Sequence, residues 1–234
     1  MTEAKYLVFD VESTGIDVFE DRIVQLFIAT ADASGNLIDT WEWVIDPGVE
    51  VPEEASNVHG FTTAYLREHG EAPQIVLSKA LDVFEAYGDR VWVAYNLNYD
   101  ASILGADLER HGVYRYWSDM LLGDPEDVSK ATLFDPLVVD RAKDKYRKGK
   151  RKLESVAAHY GIPFDADEAH NARYDVEVTA KVAAAVAGKY GIPSNAEQAE
   201  MYRTWATGLE EYLRRSDPAA SVDGNWPLKL KEES

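Results

Sequence analysis

The chain has 234 residues, of which 46% are hydrophobic and 28% are charged, a composition typical of a globular protein and not of a disordered or collagen-like one. It contains no cysteine, which excludes disulfides, thiolate zinc sites, iron–sulfur clusters and cysteine nucleophiles, so any metal must be bound by carboxylates or imidazoles. The net charge of −18 would argue against a nucleic-acid partner if the acidic residues were spread evenly along the chain.

The N-terminal half of the sequence predicts a sheet followed by alternating helices and strands. β-Branched and aromatic residues between turn residues predict strands, and apolar residues at helical spacing predict helices. In chain order the predicted elements are strands over Lys5–Phe9, Arg22–Ala33 and Asn36–Ile45, a helix over Pro73–Tyr87, a strand over Arg90–Tyr95 and a helix over Asp100–Gly112. The first three strands suit an antiparallel meander, and the strand–helix–strand order after them points to an α/β sheet.

A run of basic residues precedes three further helices. Arg141–Lys152 carries eight basic residues and one acidic residue, a local charge of +7, which is typical of either a phosphate-binding patch or a solvated loop. Helices are then predicted over Leu153–Tyr160, Asn171–Tyr190 and Asn195–Arg215. The segment Gly-Ile-Pro ends the first two of these helices, because glycine caps a helix and proline cannot continue it.

Two acidic residues follow the first predicted strand. Asp10 and Glu12 lie two positions apart, so both side chains project from the same face of the chain. Two such carboxylates repel each other unless a cation lies between them or water solvates them, and oxygen-only ligation suits Mg²⁺ or Mn²⁺. By itself the pair is compatible with a metal site or with a solvated strand end.

Two later segments carry further candidate site residues. Tyr95–Asp100 leads from the fourth strand into a helix, where Asp100 by itself would only complement the helix dipole. His170 precedes Asp175 by five residues, so on one continuous helix their side chains would point about 140° apart. The two residues can share a site if His170 belongs to the preceding loop and Asp175 lies one turn into the helix.

The segments FDVESTG, YNLNYD and HNARYD, in this order, resemble the three exonuclease motifs of the DEDDh family. This is the group similar to the proofreading epsilon subunit of bacterial DNA polymerase III, and the resemblance covers about residues 4–190. It implies an α/β, ribonuclease H-like fold with a mixed five-stranded sheet flanked by helices, here with a C-terminal helical extension. We therefore expect an exonuclease domain over residues 1–193 and a C-terminal helix and tail over residues 194–234.

The resemblance also implies roles for the five candidate site residues. Asp10, Glu12 and Asp175 would bind one divalent cation, and Asp10 with Asp100 would bind a second cation, partly through water. His170 would be the general base that deprotonates the attacking water. The two cations, Mg²⁺ or Mn²⁺, would activate that water and stabilise the leaving 3′ oxygen.

The resemblance further implies where a nucleic-acid strand would bind. The backbone around Thr14 and Gly15 would border the terminal nucleotide, and Asn96 would help order the second motif. The basic run could then lie along the strand, where its cations would neutralise phosphates without reading the base sequence. We take Lys148, Lys150 and Arg151 as its candidate substrate-binding residues.

The sequence departs from the family pattern mainly in the second motif. Tyr95, Leu97 and Tyr99 replace residues of the frequent pattern His-Asn-Ala-x-Phe-Asp, and Val176 follows Asp175 where alanine is frequent. Since the apolar character is kept, we expect catalysis to be retained and the fit around the terminal base to differ. The other histidines are expected to pack or to lie on the surface.

The preferred function is a metal-dependent 3′–5′ exonuclease that removes nucleoside monophosphates from single-stranded DNA 3′ ends in proofreading, repair or nucleotide recycling. An RNA-trimming or oligoribonuclease-like exoribonuclease stays open, because nothing in the motifs reports a 2′-hydroxyl. Aspartyl-phosphate phosphatases also begin with a strand-end acid pair, but they do not need His170. A non-catalytic scaffold that binds DNA or a polymerase is the third alternative.

The C-terminal segment is a candidate for partner binding. Its predicted helix has one apolar stripe, so it either packs on the domain or binds a partner, for which we expect a DNA polymerase. Glu211–Arg215 and Gly224–Pro227 are similar to tails on epsilon-like exonucleases of actinobacteria and their phages. No segment approaches the roughly 20 apolar residues of a membrane helix, and no secretory signal is evident, so we expect a cytoplasmic protein without a membrane partner.

Overall fold

A computed structural model describes residues 3–113, 117–122 and 131–231. These residues form five strands, β1 (Tyr6–Ser13), β2 (Ile23–Ala31), β3 (Leu37–Val44), β4 (Val91–Val93) and β5 (Thr132–Phe134). The strands build one sheet in the order β3-β2-β1-β4-β5. The sheet is mixed, because β1 at its centre is antiparallel to β2 and parallel to β4.

The strand pairing places three carboxyl ends at one edge of the sheet. β1, β2 and β3 form the predicted antiparallel meander. β4 runs parallel to β1 and β5 runs parallel to β4. The carboxyl ends of β1, β4 and β5 therefore open toward the same side, which is where parallel sheets commonly build their sites.

The described residues also form nine helices. They are α1 (Glu53–His59), α2 (Thr63–His69), α3 (Pro73–Ala86), α4 (Leu97–Arg110), α5 (Trp117–Leu122), α6 (Pro136–Lys143), α7 (Leu153–His159), α8 (Ala172–Tyr190) and α9 (Asn195–Leu213). The predictions for α3, α4, α7, α8 and α9 agree with the structure to within one helical turn. The expected five-stranded sheet, flanking helices and C-terminal helix are confirmed.

Four helices and one strand are absent from the sequence-based prediction, and their short apolar faces explain why. α1 buries none of its residues and α2 buries only Leu66, so neither shows a hydrophobic period. β5 has three residues, too few for a pattern of alternation to be recognised. α5 and α6 are likewise short, at six and eight residues.

Helices cover both faces of the sheet. One face packs against α3 and α4, where Phe9 of β1 contacts Phe84 edge to face with ring centroids 5.2 Å apart. Trp92 of β4 is fully buried on this same face. The other face, with Tyr6 and Phe27, packs against α6, α7 and α8. The result is a three-layer α/β/α arrangement with the sheet in the middle.

The predicted C-terminal helix packs on this domain. α9 begins with a capping box, in which the Ser194 side chain accepts from the Glu197 N–H and the Glu197 carboxylate accepts from the Ser194 N–H. Tyr202 on α9 and Trp226 in the following tail are both buried and join the core on the α4 face. Among the described helices, none combines the length and apolar character needed to span a membrane.

Candidate active site

Asp10 and Glu12 lie on β1 and are both partly buried. β1 pairs with β4 only as far as Val8, so both acids lie where the central strand continues past its parallel neighbour. Their two-residue spacing directs both side chains to the same face of the sheet. The shared face agrees with the sequence-based prediction, but β1 continues through both acids to Ser13 and does not end at Phe9.

Asp175 forms a cluster of three carboxylates with Asp10 and Glu12. Each of the three offers one oxygen that lies within 4.8 Å of the other two. Asp175 is the fourth residue of α8, whose first turn is fixed by the Asn171 side chain accepting from the Arg173 N–H at 3.1 Å. Three carboxylate oxygens this close can bind one hard divalent cation.

Asp100 reaches the same edge of the sheet from α4. Its side chain is buried, and its Oδ1 accepts a hydrogen bond from the Val11 N–H at 3.2 Å. Asp100 lies outside the cluster of three, but after burial its charge is the largest cause of the raised pKa of Asp10. The Asp10 and Asp100 carboxylates therefore repel each other.

His170 lies in the turn before α8, as predicted, and its side chain is exposed. Its φ is 64°, in the left-handed region that residues other than glycine adopt uncommonly. Burial raises the pKa of Asp175, and the charge and the backbone N–H of His170 act in the opposite direction. Because His170 is outside the helix, it can lie beside Asp175 without the angular conflict of a continuous helix.

Burial raises the pKa of all four carboxyl groups in this site, and repulsion by neighbouring carboxylates raises those of Asp10, Glu12 and Asp100 further. For Asp10 the causes are burial, then the charges of Asp100, Glu12 and Asp175. The pKa of Glu12 rises to about 8 because of burial and then the charges of Asp175 and Asp100. Burial also raises the pKa values of Asp100 and Asp175. Such a concentration of acids opposes its own ionisation unless positive charge compensates it.

The turn after β1 is held by Thr14 and Asp21. The Thr14 hydroxyl donates to Asp21 Oδ1 at 2.8 Å and accepts from the Arg22 N–H at 3.0 Å. A Cβ on Gly15 would lie 2.5 Å from Asp21 Oδ2, so a larger residue would displace the Asp21 carboxylate. The turn is thereby fixed with the Gly15 backbone close to the site.

Tyr99 connects this turn to α4. Its hydroxyl donates to the Gly15 carbonyl oxygen at 2.6 Å and lies 2.6 Å from Ser13 Oγ. Burial raises the pKa of Tyr99 well above that of a free tyrosine, so the hydroxyl keeps its proton. The tyrosine that departs from the family pattern therefore joins the first and second motifs, a contact that the sequence did not indicate.

Asn96 precedes α4 in a left-handed conformation, with φ of 68°. Asparagine adopts this conformation more readily than most residues. Its side chain does not cap the helix. Instead the buried Asp135 carboxylate accepts from the N–H groups of Asn96 at 3.3 Å and Leu97 at 2.9 Å. This external cap explains why α4 begins at Leu97 and not at the predicted Asp100.

The basic run has a buried anchor. The Asp140 carboxylate, fully buried on α6, forms ion pairs with both Arg147 and Arg151. It also accepts a hydrogen bond from the Tyr160 hydroxyl at 2.8 Å. The Arg151 guanidinium is therefore engaged inside the protein, where it shapes the loop.

The tip of the same loop is exposed. Lys148 and Lys150 lie in solvent on either side of Gly149. The Tyr95 hydroxyl donates to the Arg151 carbonyl oxygen at 2.6 Å, which places the loop beside the carboxyl end of β4. The two lysines are thus the candidate substrate-binding residues of the run that the structure presents to solvent.

Two further residues support the site in ways that the sequence did not indicate. Gln25 on β2 accepts from the Ala172 N–H at 3.4 Å and so fixes the start of α8. A glutamine within a fully buried strand was the available signal. His59 Nε2 lies 3.2 Å from the Ser13 carbonyl oxygen, and its Nδ1 accepts from the Phe61 N–H. Burial lowers the pKa of His59. Because Nδ1 accepts from the Phe61 N–H, Nε2 is the nitrogen that can donate to the Ser13 carbonyl oxygen.

Comparison with known proteins gives a match over most of the chain. A protein-family model described as Exonuclease (RNase_T) matches residues 7–183. Similar curated proteins include the DNA polymerase III PolC-type proteins of Pediococcus pentosaceus, 28% identical over 175 residues, and Lacticaseibacillus paracasei, 28% identical over 187 residues. These matches cover 75% and 80% of this chain but 11% of each relative. The chain thus spans about a tenth of the length of these relatives.

Similar solved structures include E. coli exonuclease I in complex with a dT13 oligonucleotide, with a TM-score of 0.65 and 22% identity. That match covers 79% of this chain and 41% of the other. The moderately thermophilic exonuclease I of Methylocaldum szegediense gives a TM-score of 0.64 and 20% identity, and covers 90% of this chain and 46% of the other. At these identities the likeness concerns the fold, and it confirms the expected ribonuclease H-like architecture.

Proposed function

Because this chain belongs to the exonuclease family, we propose that it is a metal-dependent 3′–5′ exonuclease that removes nucleoside monophosphates from single-stranded DNA 3′ ends. The observation that carries the proposal is the carboxylate cluster of Asp10, Glu12 and Asp175, with Asp100 beside it. The dT13 oligonucleotide bound by E. coli exonuclease I supports single-stranded DNA as the substrate class.

The carboxylates suit two divalent cations, Mg²⁺ or Mn²⁺. Asp10, Glu12 and Asp175 offer three oxygens within 4.8 Å of one another to the first cation, and Asp10 with Asp100 offers ligands to the second. Hard cations prefer such oxygen ligands. When bound, the cations would lower the pKa of a ligating water and stabilise the leaving 3′ oxygen.

In this proposal His170 accepts the proton of the attacking water on a ring nitrogen. The imidazole is exposed in the turn that precedes α8, and in this proposal it reaches a water molecule between the carboxylates and a phosphate. The exposed ring can then pass the proton to solvent. His170 also differs from the carboxylates in that it is not needed to bind a cation.

The substrate strand lies across the carboxyl edge of the sheet in this proposal. Its terminal nucleotide borders the backbone of Thr14 and Gly15, which the contacts with Asp21 hold in place. Lys148 and Lys150 neutralise phosphates farther from the end. Arg151 supports these lysines through its ion pair with Asp140.

A DNA polymerase is the partner that we propose for the exposed end of α9. Tyr212 is 64% exposed and Leu213 is 36% exposed, and the curated relatives are named as polymerases. Replacing both residues by alanine should abolish co-purification with a replicative polymerase and leave exonuclease activity unchanged. Unchanged co-purification of the double variant would contradict this assignment.

The test of the function is a time course on a 5′-labelled single-stranded DNA oligomer and its RNA counterpart. The chain and its Asp10→Asn variant are compared with Mg²⁺, with Mn²⁺ and with a chelator. With either cation we expect the wild-type chain to produce a ladder of products that shortens from the 3′ end. The chelator should stop this degradation. The Asp10→Asn variant should not degrade the oligomer, although its circular dichroism spectrum should match that of the wild type.

The rates on the two strands decide the substrate. Faster degradation of DNA supports the proposal, whereas faster degradation of RNA indicates an exoribonuclease. Failure to shorten either strand would contradict the function and favour a binding role.

A further inference from the structure

One buried carboxylate caps two helices at the edge of the sheet. Asp135 Oδ1 accepts from two N–H groups at the start of α6, at 2.9 and 3.3 Å. Its Oδ2 accepts from the Leu97 N–H at 2.9 Å, and Oδ1 also accepts from the Asn96 N–H at 3.3 Å. Since the Asn96 side chain makes no cap, Asp135 supplies the N-terminal cap of the helix that carries Asp100.

A glutamine on α9 fixes the backbone at Asp135. Gln198 is fully buried. Its Oε1 accepts from the Asp135 N–H at 2.9 Å, and its Nε2 donates to the Leu133 carbonyl at 2.7 Å and the Pro193 carbonyl at 3.0 Å. The position of the cap on α4 therefore depends on a residue beyond the three motifs.

The tail after α9 contacts α4 directly. Asn98 Nδ2 donates to the Asn225 carbonyl at 2.9 Å, and Ser102 Oγ accepts from the Lys229 N–H at 2.8 Å. Asn98 and Ser102 lie two residues before and two residues after Asp100. The tail therefore binds the helical turn that presents Asp100 to the site.

We propose that Asp135 and Gln198 are positioning residues, which set where the Asp100 carboxylate lies relative to Asp10. Residues 194–231 are then part of the unit that forms the site, in addition to any partner that they bind. The inference rests on the proposed function for the role of Asp100. The placement of Asp100 against the Val11 N–H can nevertheless be measured without any reaction.

The physical basis is the first turn of α4. The first N–H groups of a helix have no partner within the helix, so loss of the Asp135 acceptor leaves this turn free to fray. Asp100 is the fourth residue of α4 and moves with that turn. Outer partners of metal ligands typically contribute about 10- to 100-fold in affinity or activity.

The test compares Asp135→Asn and Gln198→Met with Gln74→Met, a matched control at an exposed glutamine. In the metal-free protein, the exchange rate of the Val11 amide reports its hydrogen bond to Asp100. We expect faster exchange of this amide in the two test variants, by about two- to tenfold for the loss of one hydrogen bond, with exchange in the middle of β2 unchanged. The control should match the wild-type chain.

Kinetics give a second measurement on the same proteins. We expect kcat to fall about 10- to 100-fold with KM changed by less than about twofold, and Mn²⁺ binding by calorimetry to weaken. Ser102→Ala, which removes the tail contact with the Lys229 N–H and the bond from the Ser102 hydroxyl to the Asn98 carbonyl, provides a milder variant if Gln198→Met does not fold.

Unchanged Val11 exchange in folded variants would overturn the inference, as would a fall in melting temperature without a change in kcat. If the wild-type chain degrades no strand but Val11 exchange still responds, the proposed function fails and the positioning stands.

Discussion

The Glu12 carboxyl group has a pKa of about 8 in the folded chain, against 4.5 for a free glutamate, because of burial and then repulsion by Asp175 and Asp100. Between these two pH values the folded state binds more protons than the unfolded state. By linkage, the free energy of unfolding of the metal-free protein must fall as pH rises through this window. A bound cation would offset the repulsion.

Replacing Glu12 by Gln should therefore stabilise the metal-free protein while abolishing its activity. At pH 8 we expect the melting temperature in chelator to rise by several degrees, equivalent to about 1–2 kcal/mol. At pH 4.5 the gain should be small, because wild-type Glu12 is then protonated. The exposed Glu154→Gln variant is the control, and equal melting temperatures of Glu12→Gln and wild type at pH 8 would contradict the expectation.

Replacing His170 should lower the reaction rate without preventing cation binding, unlike replacing one of the carboxylates. Removing a general base typically lowers kcat by about 100- to 10,000-fold, so we expect His170→Ala to lose rate by this amount while still binding Mn²⁺. His69→Ala, at an exposed histidine on α2, should retain full activity. A wild-type kcat in the His170→Ala variant would show that another group accepts the proton of the attacking water.

The basic run, Arg141–Lys152, combines a rigid base with an exposed tip. Asp140 holds Arg147 and Arg151 at the base, whereas Lys148 and Lys150 are exposed. A strand that contacts both lysines releases counterions from the two phosphates that they neutralise. Affinity should then depend on salt through the lysines and hardly at all through the arginines.

The double variant Lys148→Ala, Lys150→Ala should bind single-stranded DNA more weakly and with a smaller salt dependence. For two phosphate contacts, the slope of log K against log salt should decrease in magnitude by about 1.4. Fluorescence anisotropy with Asp10→Asn protein in both backgrounds avoids degradation of the probe. Lys181→Ala on α8 is the control and should leave the slope unchanged. An unchanged slope in the double variant would show that the DNA strand does not contact Lys148 and Lys150.

Breaking the anchor of the loop should affect stability more than catalysis. Asp140→Ala leaves two guanidinium groups without their buried partner, a change that typically costs about 3–5 kcal/mol. We expect a lower melting temperature and faster tryptic cleavage within residues 145–152. Cleavage at the wild-type rate would show that the ion pairs do not order the loop.

Across the fold, the sequence predicted the strands and helices that have a long apolar pattern or contain one of the three motifs. β2 is a nine-residue, mainly apolar run, and β3 alternates at Trp41, Glu42 and Trp43. α3, α8 and α9 are each 14 or 19 residues long, so their apolar faces are evident without a structure. The helix predicted over Asn171–Tyr190 leaves His170 in the preceding loop, which is the position that the angular argument requires if His170 shares a site with Asp175. The fifth strand came only from the family resemblance.

The features that the sequence did not predict depend on contacts between residues that lie far apart in the chain. Asp135 caps α4 across a separation of 38 residues, so no local signal marks Leu97 as the helix start. Tyr99 bonds to Gly15 across 84 residues. Arg151 belongs to a basic run by composition, and only the fold shows that it pairs with Asp140.

The amide side chains at the start of α9 have a further consequence for β5, the last strand in the order of the sheet. Asn195 accepts from the Leu133 N–H and donates to the Ala131 carbonyl, both at 2.9 Å. Gln198 continues the same row of hydrogen bonds at Leu133 and Asp135. Two side chains of a helix thus occupy backbone groups that a sixth strand would otherwise bind. Because these groups are already bonded, α9 blocks the addition of a strand from another molecule at the β5 edge of the sheet.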